Sequence, residues 1–204
     1  MNHLVKFKRL TNRYFVMRHG HSLANLQGII VSHPQHGIDD YGLSDEGIMQ
    51  VNEIGAGDIP LDENTLIVSS DFKRARESAE IMQRLLISLT PVKFDHRLRE
   101  RHFGELELKS DNAYESVWHE DQIDTDNRLR AVESPNQVMT RVSALISEYE
   151  GKVSGAALLL VSHGDALQIL QAAFSKLDAS THRQQKHLET GEIRELALSS
   201  PEIS

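Results

Sequence analysis

The chain has 204 residues, 39% of them hydrophobic and 25% charged, with a formal net charge of −8. That length is enough to bury a sizeable core, and one domain over 1–204 is the expectation. The acidic balance argues against a broad nucleic-acid surface, and the absence of cysteine excludes disulfides, thiolate catalysis and cysteine-ligated zinc.

In chain order, MNHLVKFKRLTNR at the start carries positive charge but no apolar stretch and no small-residue cleavage site. No signal peptide is expected there. Tyr14-Phe15-Val16-Met17 is a short aromatic and β-branched run that predicts a buried strand. It delivers Arg18, His19 and Gly20 into a small, polar turn ending at Asn25. Residues 26–43 read as a polar loop. Ser44 is a predicted helix N-cap with Asp45 and Glu46 in the first turn, and Ile48, Val51 and Ile54 form the stripe of that helix up to Gly55 and Gly57. Thr65 to Val68 predicts a second buried strand. A helix from about Phe72 follows, with Ala75, Ala79, Met82 and Leu86 facing inward.

Residues 91–95, PVKFD, predict a third strand ahead of Arg97-Leu98-Arg99-Glu100-Arg101. Gly104 to Ser134 carries nine acidic residues against three basic ones, with Tyr114, Val117 and Trp118 as anchors of a short helix. Ser134-Pro135-Asn136-Gln137 combines an N-cap, a first-turn proline and a capping-box glutamine. Val138, Val142, Leu145, Ile146 and Tyr149 give the buried face of the helix it starts, and Gly151 is its expected end. Ala156 to Val161 is the predicted central strand, leading into Ser162-His163-Gly164. It is also the longest apolar run, far short of a membrane span, so no membrane partner is expected, and the absence of cysteine fits the expected cytoplasmic location. A helix from Ala166 to Phe174 and a strand from Ile193 to Leu198 complete the order. Such alternation predicts a three-layer α/β/α sandwich around a mostly parallel sheet.

Four polar clusters fall at or just after predicted strand ends, where open α/β sheets place their ligand sites. They are Arg18-His19, Arg74, Glu100 and His163. Singly, each has an ordinary reading: a solvated turn, a surface helix cation, an ion pair among Arg97, Arg99 and Arg101, a turn histidine. Together at one sheet edge they match the parts of phosphoryl transfer. Fixed cations hold the phosphate oxygens, a neutral imidazole attacks phosphorus, and a carboxylic acid protonates the leaving alkoxide. The eleven histidines also raise a metal question. However, His33/His36 and His182/His187 lack companion ligands at a recognised spacing and there is no HExxH, so neither metal nor cofactor is expected.

The spacing RHGxSxxN, here Arg18-His19-Gly20-His21-Ser22-Leu23-Ala24-Asn25, resembles the signature of the histidine phosphatase superfamily, also called the phosphoglycerate mutase-like family. The resemblance extends to SSDFKRARESA, LRERHFGELE and the strand ending in Ser162-His163-Gly164. It implies a phosphoglycerate mutase-like fold, His19 as the residue phosphorylated, and Arg18, Asn25, Arg74 and His163 as phosphate ligands. Glu100 is then the proton donor, with Glu105 and Glu107 as secondary candidates. His21 departs from the Glu or Gln that many members carry after the triplet. Between hydrolase and mutase, the acidic stretch before the final histidine disfavours a doubly anionic ligand. The expected activity is hydrolysis of a small phosphorylated metabolite. A mutase-type phosphotransferase and a non-catalytic phospho-ligand module are the alternatives.

Overall fold

The computed structural model describes residues 1–199. Its strands are Arg13–Arg18 (β1), Leu66–Ser69 (β2), Lys93–Phe94 (β3), Ala157–Ser162 (β4) and Ile193–Leu196 (β5). The helices are Leu23–Gln27 (α1), Pro34–Gly37 (α2), Asp45–Gly55 (α3), Lys73–Leu85 (α4), Tyr114–Ile123 (α5), Pro135–Lys152 (α6) and Gly164–Phe174 (α7). The strands make one sheet in the order β3-β2-β4-β1-β5. All pairings are parallel except β1 with β5.

Alternation along β1 explains the layers. Tyr14 and Val16 point to one face, where Val138, Val142, Leu145 and Ile146 of α6 and Leu167 and Leu170 of α7 meet them. Phe15 and Met17 point to the other, against Val51 of α3 and Ala75, Ala79 and Met82 of α4. Being covered on both faces is what a near-continuous apolar strand requires, and full burial of each such side chain contributes about 1.5–3 kcal/mol. The expected α/β/α sandwich is therefore present.

Most predicted elements match, with local differences. The stretch 26–43 is not all loop. It holds the end of α1 and all of α2, the latter started by His33 as N-cap with Pro34 behind it. Ile48 is exposed, because Gly47 and Val51 occupy the buried side of α3. The third strand shrinks to Lys93–Phe94, since a strand at the sheet edge starting after Pro91 gains few ladder bonds. The final strand ends at Leu196, and α6 continues through Gly151 to Lys152.

Register places the site. Arg18 lies opposite Ser162, so His19 and His163 leave the two central strands side by side. Ser69 lies opposite Val161, which brings Ser70 to the same edge. The turn after β1 is packed hard against the first turn of α3: a Cβ on Gly47 would sit 1.9 Å from the His21 carbonyl oxygen. Gly104 is needed for a second reason. Its φ is +54°, and a Cβ there would lie 2.0 Å from the Arg130 carbonyl oxygen.

Candidate active site

At the carboxyl edge of the sheet lies a cavity of about 310 Å³ whose walls include Arg18, His19, Asn25, Arg74 and Glu100. His19 is 3% exposed. Its Nδ1 is 2.8 Å from the Gly20 carbonyl oxygen, which can only accept, so Nδ1 carries the proton. The lone pair is therefore on Nε2, where it accepts from Arg74 Nε at 3.0 Å. Burial, and then the charges of Arg74 and Arg18, hold His19 well below the usual histidine range. The imidazole is neutral, and its free electron pair points among cations.

Arg74 comes from the first turn of α4. Its Nη2 donates to the Val31 carbonyl at 2.9 Å, and its buried Nη1 has no partner among the described residues. Arg18 donates through Nη1 to the Leu188 carbonyl at 3.0 Å and to His187 Nε2 at 2.6 Å, with its buried Nε unpartnered. Unsatisfied buried N–H groups on two arginines make a ready cradle for an anion. His163 is fully buried, its ring centroid 5.1 Å from that of His19. Its Nε2 meets Ser70 Oγ at 2.9 Å, and burial with the nearby Arg74 keeps it well below the usual histidine range. It packs against His19 but is not itself a surface of the cavity.

Glu100 lines the same cavity. One carboxyl oxygen accepts from the Arg101 N–H at 2.9 Å and from the Ala166 N–H, in the first turn of α7, at 3.3 Å. Burial, then the neighbouring Asp165, push it above the ordinary carboxylate range against the pull of Arg74. A carboxyl so placed keeps its proton longer than one in water.

Asn25 has two tasks. Its Oδ1 accepts from the Ser22 N–H at 3.1 Å and the Ser22 hydroxyl at 2.8 Å, completing the capping box of α1. Only the amide NH₂ remains for an anion. Glu105 and Glu107 do not line the cavity. Glu107 is engaged by the Ser32 N–H and hydroxyl at 2.8 and 2.7 Å and by His36 at 3.0 Å, which hold it below the ordinary range despite burial. His21 also turns away, its Nδ1 2.8 Å from Ser44 Oγ at the cap of α3.

Several site residues gave no clear signal in the sequence. Tyr114, Trp118, Asp165, Arg183 and His187 all line the cavity. Arg101, fully buried, grips Asp121 of α5 at 2.5 and 2.7 Å and Asp165 of α7 at 3.3 Å, docking α5 beside the site. The acidic stretch itself largely faces elsewhere: of its carboxylates only Asp111 lines the cavity. Most of the negative charge of that stretch therefore stands away from the cavity. Among the described residues no group of histidine and carboxylate side chains is arranged to hold a metal ion, and no helix is long and apolar enough to cross a membrane.

The sequence profile of the histidine phosphatase superfamily, branch 1, matches residues 14–202. The chain belongs to the histidine phosphatase superfamily. It is 30% identical over 176 residues to a probable phosphoglycerate mutase of Escherichia coli, covering 83% of this chain and 77% of that one. The fold is similar to a mycobacterial glucosyl-3-phosphoglycerate phosphatase in complex with a vanadate species, at a TM-score of 0.75 and 23% identity over 90% of each chain. It is also similar to a putative alpha-ribazole-5'-P phosphatase of Escherichia coli, at a TM-score of 0.69 and 22% identity over 90% of this chain and 89% of that one. Membership of the superfamily sits with the geometry of His19, Arg18, Arg74, Glu100 and His163.

Proposed function

We propose that this superfamily member hydrolyses phosphomonoesters of small metabolites through a phosphohistidine on His19. The observation that carries the reading is the unprotonated Nε2 of His19 held against Arg74, with Glu100 lining the same cavity. The Nε2 lone pair forms the P–N bond as the P–O bond to the leaving alcohol breaks. Glu100 gives its proton to the departing alkoxide. Water then attacks the phosphohistidine, yields its proton to the Glu100 carboxylate, and releases inorganic phosphate with neutral His19. Arg18, Arg74 and the Asn25 amide hold the phosphoryl oxygens as charge spreads over them, and His163, packed against His19, keeps the nucleophile in place.

Hydrolysis is favoured over transfer to a second alcohol by the state of the remaining cation in the cavity. Arg183 is 3.5 Å from Asp165 and stacked 3.6 Å over the Trp118 ring, so it is already committed. A doubly anionic ligand would have only Arg18 and Arg74 to share. The mutase reading has its own support in the 30% identity to a probable phosphoglycerate mutase.

The test is turnover of p-nitrophenyl phosphate, followed by brief incubation with a ³²P-labelled monoester. Acid-labile, base-stable label on His19, absent in His19→Ala, is the expected result. Label unchanged in His19→Ala overturns the nucleophile. Label passing to a second sugar phosphate faster than to water decides for a mutase. Vanadate should inhibit, and chelator should leave the rate nearly unchanged.

A further inference from the structure

One wall of the cavity is built with more care than containment requires. Tyr114 opens α5, and its ring stacks on Trp118 with centroids 5.3 Å apart and planes inclined by 12°. Phe103 meets the same ring edge-on at 4.6 Å. Trp118 is braced in turn. Its indole N–H donates to both carboxyl oxygens of Asp165, at 3.0 and 3.1 Å, and the Arg183 guanidinium lies 3.6 Å over its ring. Each contact removes freedom from the phenol ring. The hydroxyl at its end nevertheless forms no hydrogen bond within the described residues, while the charges of Glu100, Arg74 and Arg18 all act on it.

A rigid phenol with an unused hydroxyl, in the wall of a cavity that holds two arginines, suits an anionic oxygen supplied from outside. Burial and the Glu100 charge hold the phenol above its ordinary range, so it is a donor at every working pH. We propose that the Tyr114 hydroxyl donates a hydrogen bond to a non-bridging phosphoryl oxygen of the substrate, as a further donor beside Arg18, Arg74 and the Asn25 amide. The proposal rests on the phosphomonoester reading and deepens it, because it places α5 in phosphoryl recognition. The bridging oxygen is left to Glu100, the only group of the set that can deliver a proton and take it back.

The experiment uses Tyr114→Phe, which keeps the ring stack, with thermal unfolding as the check on folding. Calorimetric titration with inorganic phosphate reads the contact without turnover. Phosphate affinity should fall about 10- to 100-fold, the range for a hydrogen bond to a charged group. The loss in kcat/KM should be similar on an aryl and on an alkyl phosphate. Unchanged phosphate affinity overturns the proposal, as does a loss confined to the alkyl ester, which would mean a contact to the leaving group. A wild-type chain that binds phosphate through Tyr114 but turns over no ester sinks the hydrolase reading and leaves the contact standing.

Discussion

At His19 the two ring nitrogens have separate partners, Gly20 for the proton and Arg74 for the lone pair, and this division sets the pH behaviour. The nucleophile must be neutral, and its depressed titration leaves it so well into mildly acidic solution. Glu100 must be protonated for the first step, and its raised titration extends that state upward from the ordinary carboxylate range. In single turnover, kcat/KM should therefore fall at low pH as His19 gains a proton and at higher pH as Glu100 loses one. Glu100→Gln should remove the upper limb, and this change in the pH profile checks the assignment. The same variant should lose about 10²–10⁴-fold in kcat on an alkyl phosphate and far less on p-nitrophenyl phosphate, whose leaving group scarcely needs a proton. Equal losses on both esters would remove Glu100 from the acid role. Glu107, held ionised by Ser32 and His36, is poorly suited to inherit it.

At the scale of elements, the turn that carries His19 depends on helix α3 touching it directly. Gly47→Ala would force the His21 carbonyl away, because a Cβ there would lie 1.9 Å from that oxygen. An overpacked contact of this kind costs about 1–3 kcal/mol, and a misplacement near 1 Å of a reacting group costs on the order of 10²-fold in rate. Gly151→Ala in α6, which meets nothing within 4 Å, is the control. It should be neutral or stabilising by up to about 1 kcal/mol. Denaturant melts and kcat of the two variants check both statements. Legibility follows the same division. The central strands β1, β2 and β4 and the Ser44 and Ser134 caps were readable because each is encoded within a few neighbouring positions. Tyr114, Arg101 and His187 were not, because their meaning comes from partners far along the chain, and α5 has little amphipathic pattern of its own. Ile48 misled for a related reason: periodicity marks an apolar stripe but does not say that Gly47 takes the close contact.

Across the molecule, burial of neutral histidines at the site ties stability to pH. His19 and His163 titrate well below the ordinary histidine value of about 6.5 that applies when the chain is unfolded. Depressed folded values mean that their contribution is fully present above that value and is lost as pH falls towards the folded ones. His102 and His187 shift in the same direction through burial. The midpoint of urea unfolding should therefore decline from about pH 6.5 downward, before Glu107 and Glu133 begin to protonate, since both are held below the ordinary carboxylate range. A midpoint that stays flat down to pH 5 would contradict this origin.

The central place of β1 has a consequence for how the chain is made. Tyr14 finds its two neighbours at Leu158 and Leu196, so β1, made before either of them, waits for strands far along the chain. Even the nucleophile's backbone is closed late: the Arg18 N–H donates to Glu192 O, and Gly191 N–H to Arg18 O. Non-local pairing of this kind slows folding into the millisecond-to-second range and leaves apolar strands uncovered meanwhile. During synthesis, Phe15, Val16 and Met17 are thus a chaperone's concern before they are a core. A fragment ending at Lys152 holds Arg18, His19, Arg74 and Glu100, and should still be cut rapidly by protease.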